Sequence, residues 1–290
     1  MPYGSHDPLA EEFAKYMKQM DPNLDAKMQQ IADDIILVGD QERVSQISKY
    51  FNSIEYRVQH REFVTHTGTY KGKKISVISS GIGCDNIDIV INELDALVNI
   101  DFDTKIINSK KKKLNLFRLG TSGSLQEDIL VDTYLVTEYA IGFDGLAHFY
   151  LGTEHIEHQM TEAFIKHSQW PKKLAVPYIV KASEALLHKF EGFKAGITAT
   201  ASGFYAPQGR ELRIKSSLPN MHEKLNTFRF NRNKICNFEM ESSALYYLGQ
   251  SLGHNTLTIC AIIGNRIQQT QSKNYKETVE KLILKVLDRI

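Results

Sequence analysis

The chain has 290 residues, 42% of them hydrophobic and 24% charged, an ordinary composition for a globular protein with a sizeable core. A formal net charge of +1 excludes a global field for nucleic acid or an anionic membrane, so any anion must be recognised by local groups. Cys84, Cys236 and Cys260 are far apart and form no C-x-x-C spacing, which argues against a zinc site or a disulfide framework and for reduced, buried thiols.

At the N-terminus no basic segment leads into an apolar run, so no signal peptide is predicted. No stretch is apolar enough to span a bilayer, and a cytoplasmic location is the default expectation. Leu9, Phe13, Met17 and Met20 recur at helical spacing, predicting a short amphipathic helix over Pro8 to Met20. Residues 1–30 read as a helical packing arm and 31–290 as one domain. Ile35-Ile36-Leu37-Val38 is a buried strand running into Gly39-Asp40, and a helix is expected over Arg43 to Tyr50.

Phe63 to Tyr70 and Lys74 to Ser79 alternate around Lys71-Gly72-Lys73, a hairpin signature. The second strand meets Gly81-Ile82-Gly83, after which Ile87, Ile91, Leu94 and Val98 define an amphipathic helix. Asp101 to Leu114, with lysines at 110–113, reads as an exposed loop insertion rather than a nucleic-acid patch. Strands are predicted at Asn115 to Leu119, Tyr134 to Tyr139, Ala195 to Thr200 and Thr256 to Ile263, with a weaker one at Ile235 to Phe238. Helices are expected at Glu241 to Gln250 and along the stripe Val279, Leu282, Ile283, Val286, Leu287 and Ile290. Strands interleaved with helices, without repeats or Pro-rich linkers, predict a single-domain three-layer α/β/α sandwich around a mixed β-sheet.

Ligands of open α/β sheets bind beyond the strand carboxyl ends. Gly39-Asp40, Gly81-Ile82-Gly83 and Gly120-Thr121-Ser122-Gly123 all follow predicted strands, with Arg43 and Arg118 near the first and last. Glycines let backbone N–H groups approach an anion, and guanidinium offers a planar fork to phosphate oxygens. A nicotinamide site is disfavoured, because Gly81-Ile82-Gly83 lacks the third glycine of G-x-G-x-x-G.

The loop Phe204-Tyr205-Ala206-Pro207-Gln208-Gly209-Arg210 combines aromatics, an amide and a guanidinium, a set suited to a flat heterocycle bearing carbonyl oxygens. A polar surface loop with a buried Phe is the alternative. Glu239-Met240-Glu241 offers carboxylates for sugar hydroxyls and an apolar cover for ribose, with helix capping as the competing reading. Neighbouring carboxylates at one strand end rarely flank a bond from opposite sides, so a glycosidase pair is discounted. Asn265-Arg266 closes the last strand at the same edge. His155 and His158 lie in a polar helical stretch with Glu154 and Glu157 and read as a solvated face, and no metal site is assigned.

Together these segments resemble the nucleoside phosphorylase family, most closely its uridine phosphorylase branch. The carrying motifs are Gly39-Asp40-Gln41-Glu42-Arg43, His60-Arg61-Glu62-Phe63, Gly81-Ile82-Gly83 and Arg118-Leu119-Gly120-Thr121-Ser122-Gly123. Phe204 to Arg210, Phe238-Glu239-Met240-Glu241-Ser242 and Asn265-Arg266 follow in the same order, from about Ile35 to the C-terminal helix. The resemblance implies phosphate held by the Gly39 backbone, Arg43, Arg118 and Thr121, with Arg61 reaching it from a neighbouring subunit. It implies ribose at Glu239, Met240 and Glu241, and uracil at Phe204, Gln208, Arg210 and Arg266. Gln208, Arg210, Glu241 and Arg118 would be the catalytic group. Purine-preferring relatives are similar but usually carry an aspartate where Asn265-Arg266 stands, and lack the Gln-x-Arg pair.

The same resemblance implies no organic cofactor, inorganic phosphate as co-substrate, and a homodimer or a hexamer of dimers. Some relatives hold a monovalent cation at the position matching Glu62; the partner serine is Asn86 here. Family members often supply a 5′-hydroxyl ligand from an N-terminal histidine, and the region around Asp21 contains none. A nucleosidase of the same fold is the nearest alternative, but water requires no such cluster of arginines. A non-catalytic nucleoside-binding protein is the other.

Overall fold

The computed structural model describes residues 30–218 and 220–290, and the helix expected over Pro8 to Met20 lies outside them. The first half of the chain runs β1 (Asp34–Val38), α1 (Gln41–Ser48), β2 (Ser53–His60), β3 (Phe63–Tyr70), β4 (Lys73–Ser79), α2 (Cys84–Asn99), β5 (Ile100–Asp101), β6 (Ile106–Ile107), β7 (Asn115–Ser124) and β8 (Tyr134–Gly142). Then come α3 (His158–Ser168), β9 (Tyr178–Lys181), α4 (Glu184–Leu187), β10 (Lys194–Thr200) and α5 (Met221–Thr227). The last part runs β11 (Arg229–Phe230), β12 (Asn233–Glu239), α6 (Ser242–Ser251), β13 (Asn255–Asn265), β14 (Thr270–Gln271) and α7 (Tyr275–Leu287).

The mixed sheet has the order β11-β12-β10-β8-β13-β7-β1-β4-β3-β2, with helices on both sides in one domain, as the interleaved pattern predicts. β1 lies parallel between β4 and β7, and its run Ile35 to Val38 is buried on both faces, which is why the sequence there is continuously apolar. β3 and β4 form the expected hairpin. β2, which extends it into a meander, carries no readable signal because it is a largely exposed edge strand with mixed polarity.

The sheet also closes on itself. β7 pairs β13, β13 pairs β8, β8 pairs β10 and β10 pairs β12, and β12 returns to β7. That last pairing is antiparallel and involves only Ser124 with Asn237 and Gly123 with Phe238. Two strands meeting antiparallel at their last residues bring their carboxyl ends together. Closure therefore points the end of β7 at the end of β12.

Two corrections to the sequence reading follow. Gly120-Thr121-Ser122-Gly123 is not a loop but the second half of β7, held in the ladder by β13. The insertion at Asp101 to Leu114 contains the β5–β6 ribbon and buries Phe102, although Lys110 to Lys113 remain exposed, with Lys112 paired to Asp33 at 2.6 Å.

The main core joins β1, β4, β7 and β13 to α1, α2, α6 and α7, and all six residues of the C-terminal stripe are buried in it. A second cluster packs Phe164, Ile141, Ile197, Phe228 and Phe238 under α3 and α5. α6 is buried on every face from Ser242 to Gly249, lying against α2 as well as β8 and β13. Among the described residues no helix is long and apolar enough to cross a membrane. All three cysteines are buried and free.

Asn265 locks the end of β13. Its amide donates to the carbonyls of Gln126 and Ile129, and its oxygen accepts from the N–H groups of Ile267 and Gln268, each at 2.9 Å. The full capacity of the side chain is used. Asn265→Ala is expected to cost about 2–4 kcal/mol, because it leaves buried backbone groups unpaired. Equilibrium denaturation measures this, and a loss below about 0.5 kcal/mol would contradict it.

Candidate active site

A cleft of about 1690 Å³ opens where the carboxyl ends of β1, β4, β7, β12 and β13 converge with the loop after β10. Ring closure is what gathers these ends. Gly39 and Gly81 approach so closely that a Cβ on Gly39 would lie 3.3 Å from the Gly81 carbonyl oxygen. Asp40 caps α1 by accepting from Glu42 N–H at 2.9 Å, which places Arg43 on the cleft side of the first turn.

Arg118 is the centre of the site. It projects from the middle of β7 and is 5% exposed. Its Nη2 donates to Glu241 Oε2, and Nη1 lies 3.7 Å from Glu239 Oε2. Burial alone would lower its pKa, but the Glu241 and Glu239 charges outweigh that and hold it raised. Gly120 makes room for the guanidinium, since a Cβ there would lie 2.2 Å from Nη1. Arg118 Nε and Nη1 are buried with no hydrogen-bond partner. Beside them, Arg43 reaches the Leu119 carbonyl at 3.4 Å, and its pKa is lowered by burial and then by Arg118. The buried Arg118, the half-buried Arg43 and Thr121 all line the cleft. That is an anion site by chemistry.

The carboxylates divide their work. Glu239 accepts from Thr200 Oγ1 at 2.6 Å and from the N–H groups of Glu241 and Ser242, so it caps α6 as the competing reading foresaw. Burial pushes its pKa up, Arg118 pulls against this, and Glu241 adds to the rise. Glu241 takes Arg118 and, at 3.3 Å, the Met240 N–H on one oxygen and Gly83 N–H at 2.9 Å on the other. A carboxylate has about four acceptor positions, so Glu241 keeps about one for a hydroxyl donor. Met240 stands between the two and also lines it.

The loop after β10 forms a clamp around Gln208, which is 3% exposed. Gln208 Oε1 accepts from Arg210 Nη1 at 2.6 Å and from Arg266 Nη2 at 2.8 Å. With the oxygen held by two cations, the amide orientation follows, and its NH2 is the group left to offer. Arg210 lies over the Phe204 ring at 3.9 Å, a cation–π contact, while Phe204 itself is 52% exposed. No carboxylate among the described residues pairs with Arg210 or Arg266. Burial, with Arg210 adding to it, brings the Arg266 pKa down to about 10.

The fold thus brings Gly39, Arg43, Arg118, Thr121, Phe204, Gln208, Arg210, Glu239, Met240, Glu241 and Arg266 to one cleft. Arg61 is not among its lining residues. It sits exposed in the turn between β2 and β3 at φ 52°, with its carbonyl accepting from Gln41 Nε2 at 3.3 Å. Glu62 and Asn86 both line the cleft. His155 and His158 share no ligand: His158 Nε2 contacts the Thr153 carbonyl and His155 lies beside Glu154. Among the described residues no cluster of His, Cys, Asp and Glu could hold a metal ion. Sequence reasoning passed over His222, on α5, which lines the cleft next to Gln208 and Arg266. A lone histidine in a polar helix carries no sequence signal; only the packing of α5 against β12 brings it here.

With this geometry, comparison with known proteins is informative. The chain matches the model of the phosphorylase superfamily over residues 33–289 and belongs to that family. It is 30% identical over 260 residues to the uridine phosphorylase of Thermococcus kodakarensis, covering 90% of this chain and 80% of that protein. A DeoD-type purine nucleoside phosphorylase of Clostridium perfringens is 29% identical over 273 residues, covering 93% and 98%. The crystal structure of Trypanosoma brucei nucleoside phosphorylase, which shows uridine phosphorylase activity, superposes with a TM-score of 0.79 at 30% identity and covers 91% of this chain and 95% of that one.

Removing Arg118 leaves two buried carboxylates facing each other without a cation. Arg118→Ala is expected to destabilise the fold by about 3–5 kcal/mol, the scale for breaking a buried pair from one side. Chemical denaturation at neutral pH is the measurement. A loss below about 1 kcal/mol would mean that water re-enters and the pair is not structurally coupled.

Proposed function

We propose that this chain is a uridine phosphorylase, which converts uridine and inorganic phosphate reversibly to uracil and ribose 1-phosphate. The observation that carries the reading is the coexistence, in one cleft, of the Arg118 and Arg43 guanidinium groups and a Gln208 carboxamide whose oxygen accepts from both Arg210 and Arg266. The first suits an oxyanion and the second suits a base that leaves with negative charge.

Phosphate is the nucleophile, so no ionised protein nucleophile and no organic cofactor is needed. Gly39, Arg43, Arg118 and Thr121 hold it, and Arg61 of a neighbouring subunit completes the site. Glu241 accepts hydrogen bonds from the ribose hydroxyls, Met240 covers the sugar ring, and Glu239 fixes Glu241 by capping α6. Fixed geometry of this kind turns a bimolecular encounter into a near-unimolecular step. As the glycosidic bond lengthens, ribose gains oxocarbenium character and the base gains negative charge. Gln208 NH2 donates to a base carbonyl, and Arg210 and Arg266 stabilise the charge more in the transition state than in the bound substrate. Phe204 forms the edge of the base pocket.

A purine substrate is disfavoured by Asn265. Both of its donors are spent on backbone carbonyls, so it has no proton to give a departing base, and its neighbour in the cleft is the cation Arg266. A nucleosidase is disfavoured by the anion site. The enzyme would act in pyrimidine nucleoside salvage in the cytoplasm, as a homodimer or a hexamer of dimers. A monovalent cation near Glu62 remains compatible with the cleft lining.

Uridine is therefore expected to release uracil only when phosphate is present. Equal release in phosphate-free buffer would reassign the chain to nucleosidases, and faster turnover of inosine than uridine would defeat the pyrimidine reading. Arg210→Ala should lower kcat/KM for uridine about a hundredfold or more, the scale for removing one donor to developing charge.

The shared site has its own test. Arg61→Ala and Arg210→Ala subunits are each expected to be nearly inactive alone. In a mixed dimer one pocket inherits both defects and the other neither, so coexpression should restore activity. Verified mixed dimers without restoration would place Arg61 in its own chain's chemistry, whereas an Arg61→Ala variant active alone would leave Arg61 a surface ion pair worth about 0–1 kcal/mol.

A further inference from the structure

Arg266 is half-buried beside a second cation, Arg210, and no carboxylate among the described residues pairs with it. Its Nη1 donates to the Gln208 carbonyl at 2.5 Å and Nη2 to Gln208 Oε1 at 2.8 Å. Its guanidinium also lies over the Phe238 ring at 5.1 Å, and Nη1 lies 3.2 Å from His222 Nε2. A guanidinium only donates, so in this contact His222 Nε2 accepts with its lone pair and the ring is neutral with its proton on Nδ1; hydrogen bonds to the Gln208 and Gly209 backbone favour the protonated ring instead.

The ring is fixed from several sides. It lies over Gly209, where a Cβ would stand 2.2 Å from Nε2 and φ is +68°. The edge of the Phe238 ring from β12 faces it at 6.1 Å between centroids. From the loop after β10 come Arg210 and the backbone of Gln208 and Gly209; from the end of β13 comes Arg266. On its own helix Glu223 is exposed, and Lys224 Nζ is turned to the Ser168 carbonyl at 2.6 Å.

We propose that His222 is a positioning residue of the base pocket, holding Arg266 against Gln208 only while its imidazole is neutral, so that protonating it releases Arg266 and weakens base recognition. This rests on the assignment of Gln208 and Arg266 to the base. The charges around the ring run the same way. Burial lowers the His222 pKa, Arg266 lowers it further and Arg210 adds to this, against an opposing effect of the Gln208 and Gly209 backbone. The neutral form is therefore dominant at neutral pH, and the Arg266 contact is lost as pH falls below the ordinary histidine range.

The test is the pH profile of kcat/KM for uridine between about pH 5 and 8 at saturating phosphate, for wild type, His222→Gln and His222→Phe. Each variant is read as a ratio to wild type, so that titration of phosphate itself cancels. His222→Phe fills the space without an acceptor and is expected to lose about tenfold or more at pH 8, with KM for phosphate unchanged. His222→Gln supplies a non-titrating acceptor and should rescue most of that loss. Its ratio to wild type should rise at least about fivefold toward pH 5, where wild type loses its contact and the variant does not. Thermal melts of each variant separate misfolding from lost positioning. A His222→Gln ratio that is flat across the range, or a folded His222→Phe variant equal to wild type at pH 8, overturns the proposal. Wild type that fails to phosphorolyse uridine at any pH sinks the activity reading itself and this one with it.

Discussion

The site is built on the ion pair of Arg118 with Glu241, with Glu239 close behind. Arg118 belongs to β7, and the carboxylates belong to the junction of β12 and α6, so one buried guanidinium ties together two strands whose only ladder contact is two residues long. A buried charge pair is seldom a net source of stability, because desolvation cancels most of the attraction. What it provides here is position. Arg118 and Glu241 are held against each other, and both line the same cleft.

The proposed base pocket follows the same logic with opposite bookkeeping of charge. Around Arg118 there is a carboxylate for the cation, whereas among the described residues Arg210 and Arg266 meet the oxygen of Gln208, backbone carbonyls, the faces of Phe204 and Phe238 and the His222 ring, with no carboxylate. Uncompensated positive charge in a half-buried pocket favours whatever becomes negative there. In the proposed reaction that is the departing base, whose charge develops in the transition state rather than in the bound substrate. A DeoD-type purine nucleoside phosphorylase of comparable identity shares the family, so overall similarity does not by itself select the base.

Much of the fold was legible locally. β1, the β3–β4 hairpin, α2, α6 and α7 follow from apolar periodicity, because each has one dominant burial environment along its length. β2 was not readable, since an edge strand with exposed polar faces has no period-2 contrast to detect. β7 was cut short at Leu119 because glycine, threonine and serine look like a loop when strand partners are unknown; pairing with β13 overrides that local preference.

The sequence by itself determined which chemical groups the site contains: arginines near glycine-rich strand ends, a Gln-x-Arg loop, and carboxylates before a helix. Their types and order are local properties, and side-chain chemistry does not change on folding. Tertiary structure alone decided how they are used. Glu239 became a cap while Glu241 met Arg118, Asn265 turned to the backbone while Arg266 turned to Gln208, and His222 entered the pocket from an unremarkable helix. Except for the cap, those contacts join residues far apart in sequence, such as Arg118 with Glu241 and Asn265 with Gln126, which no local pattern encodes.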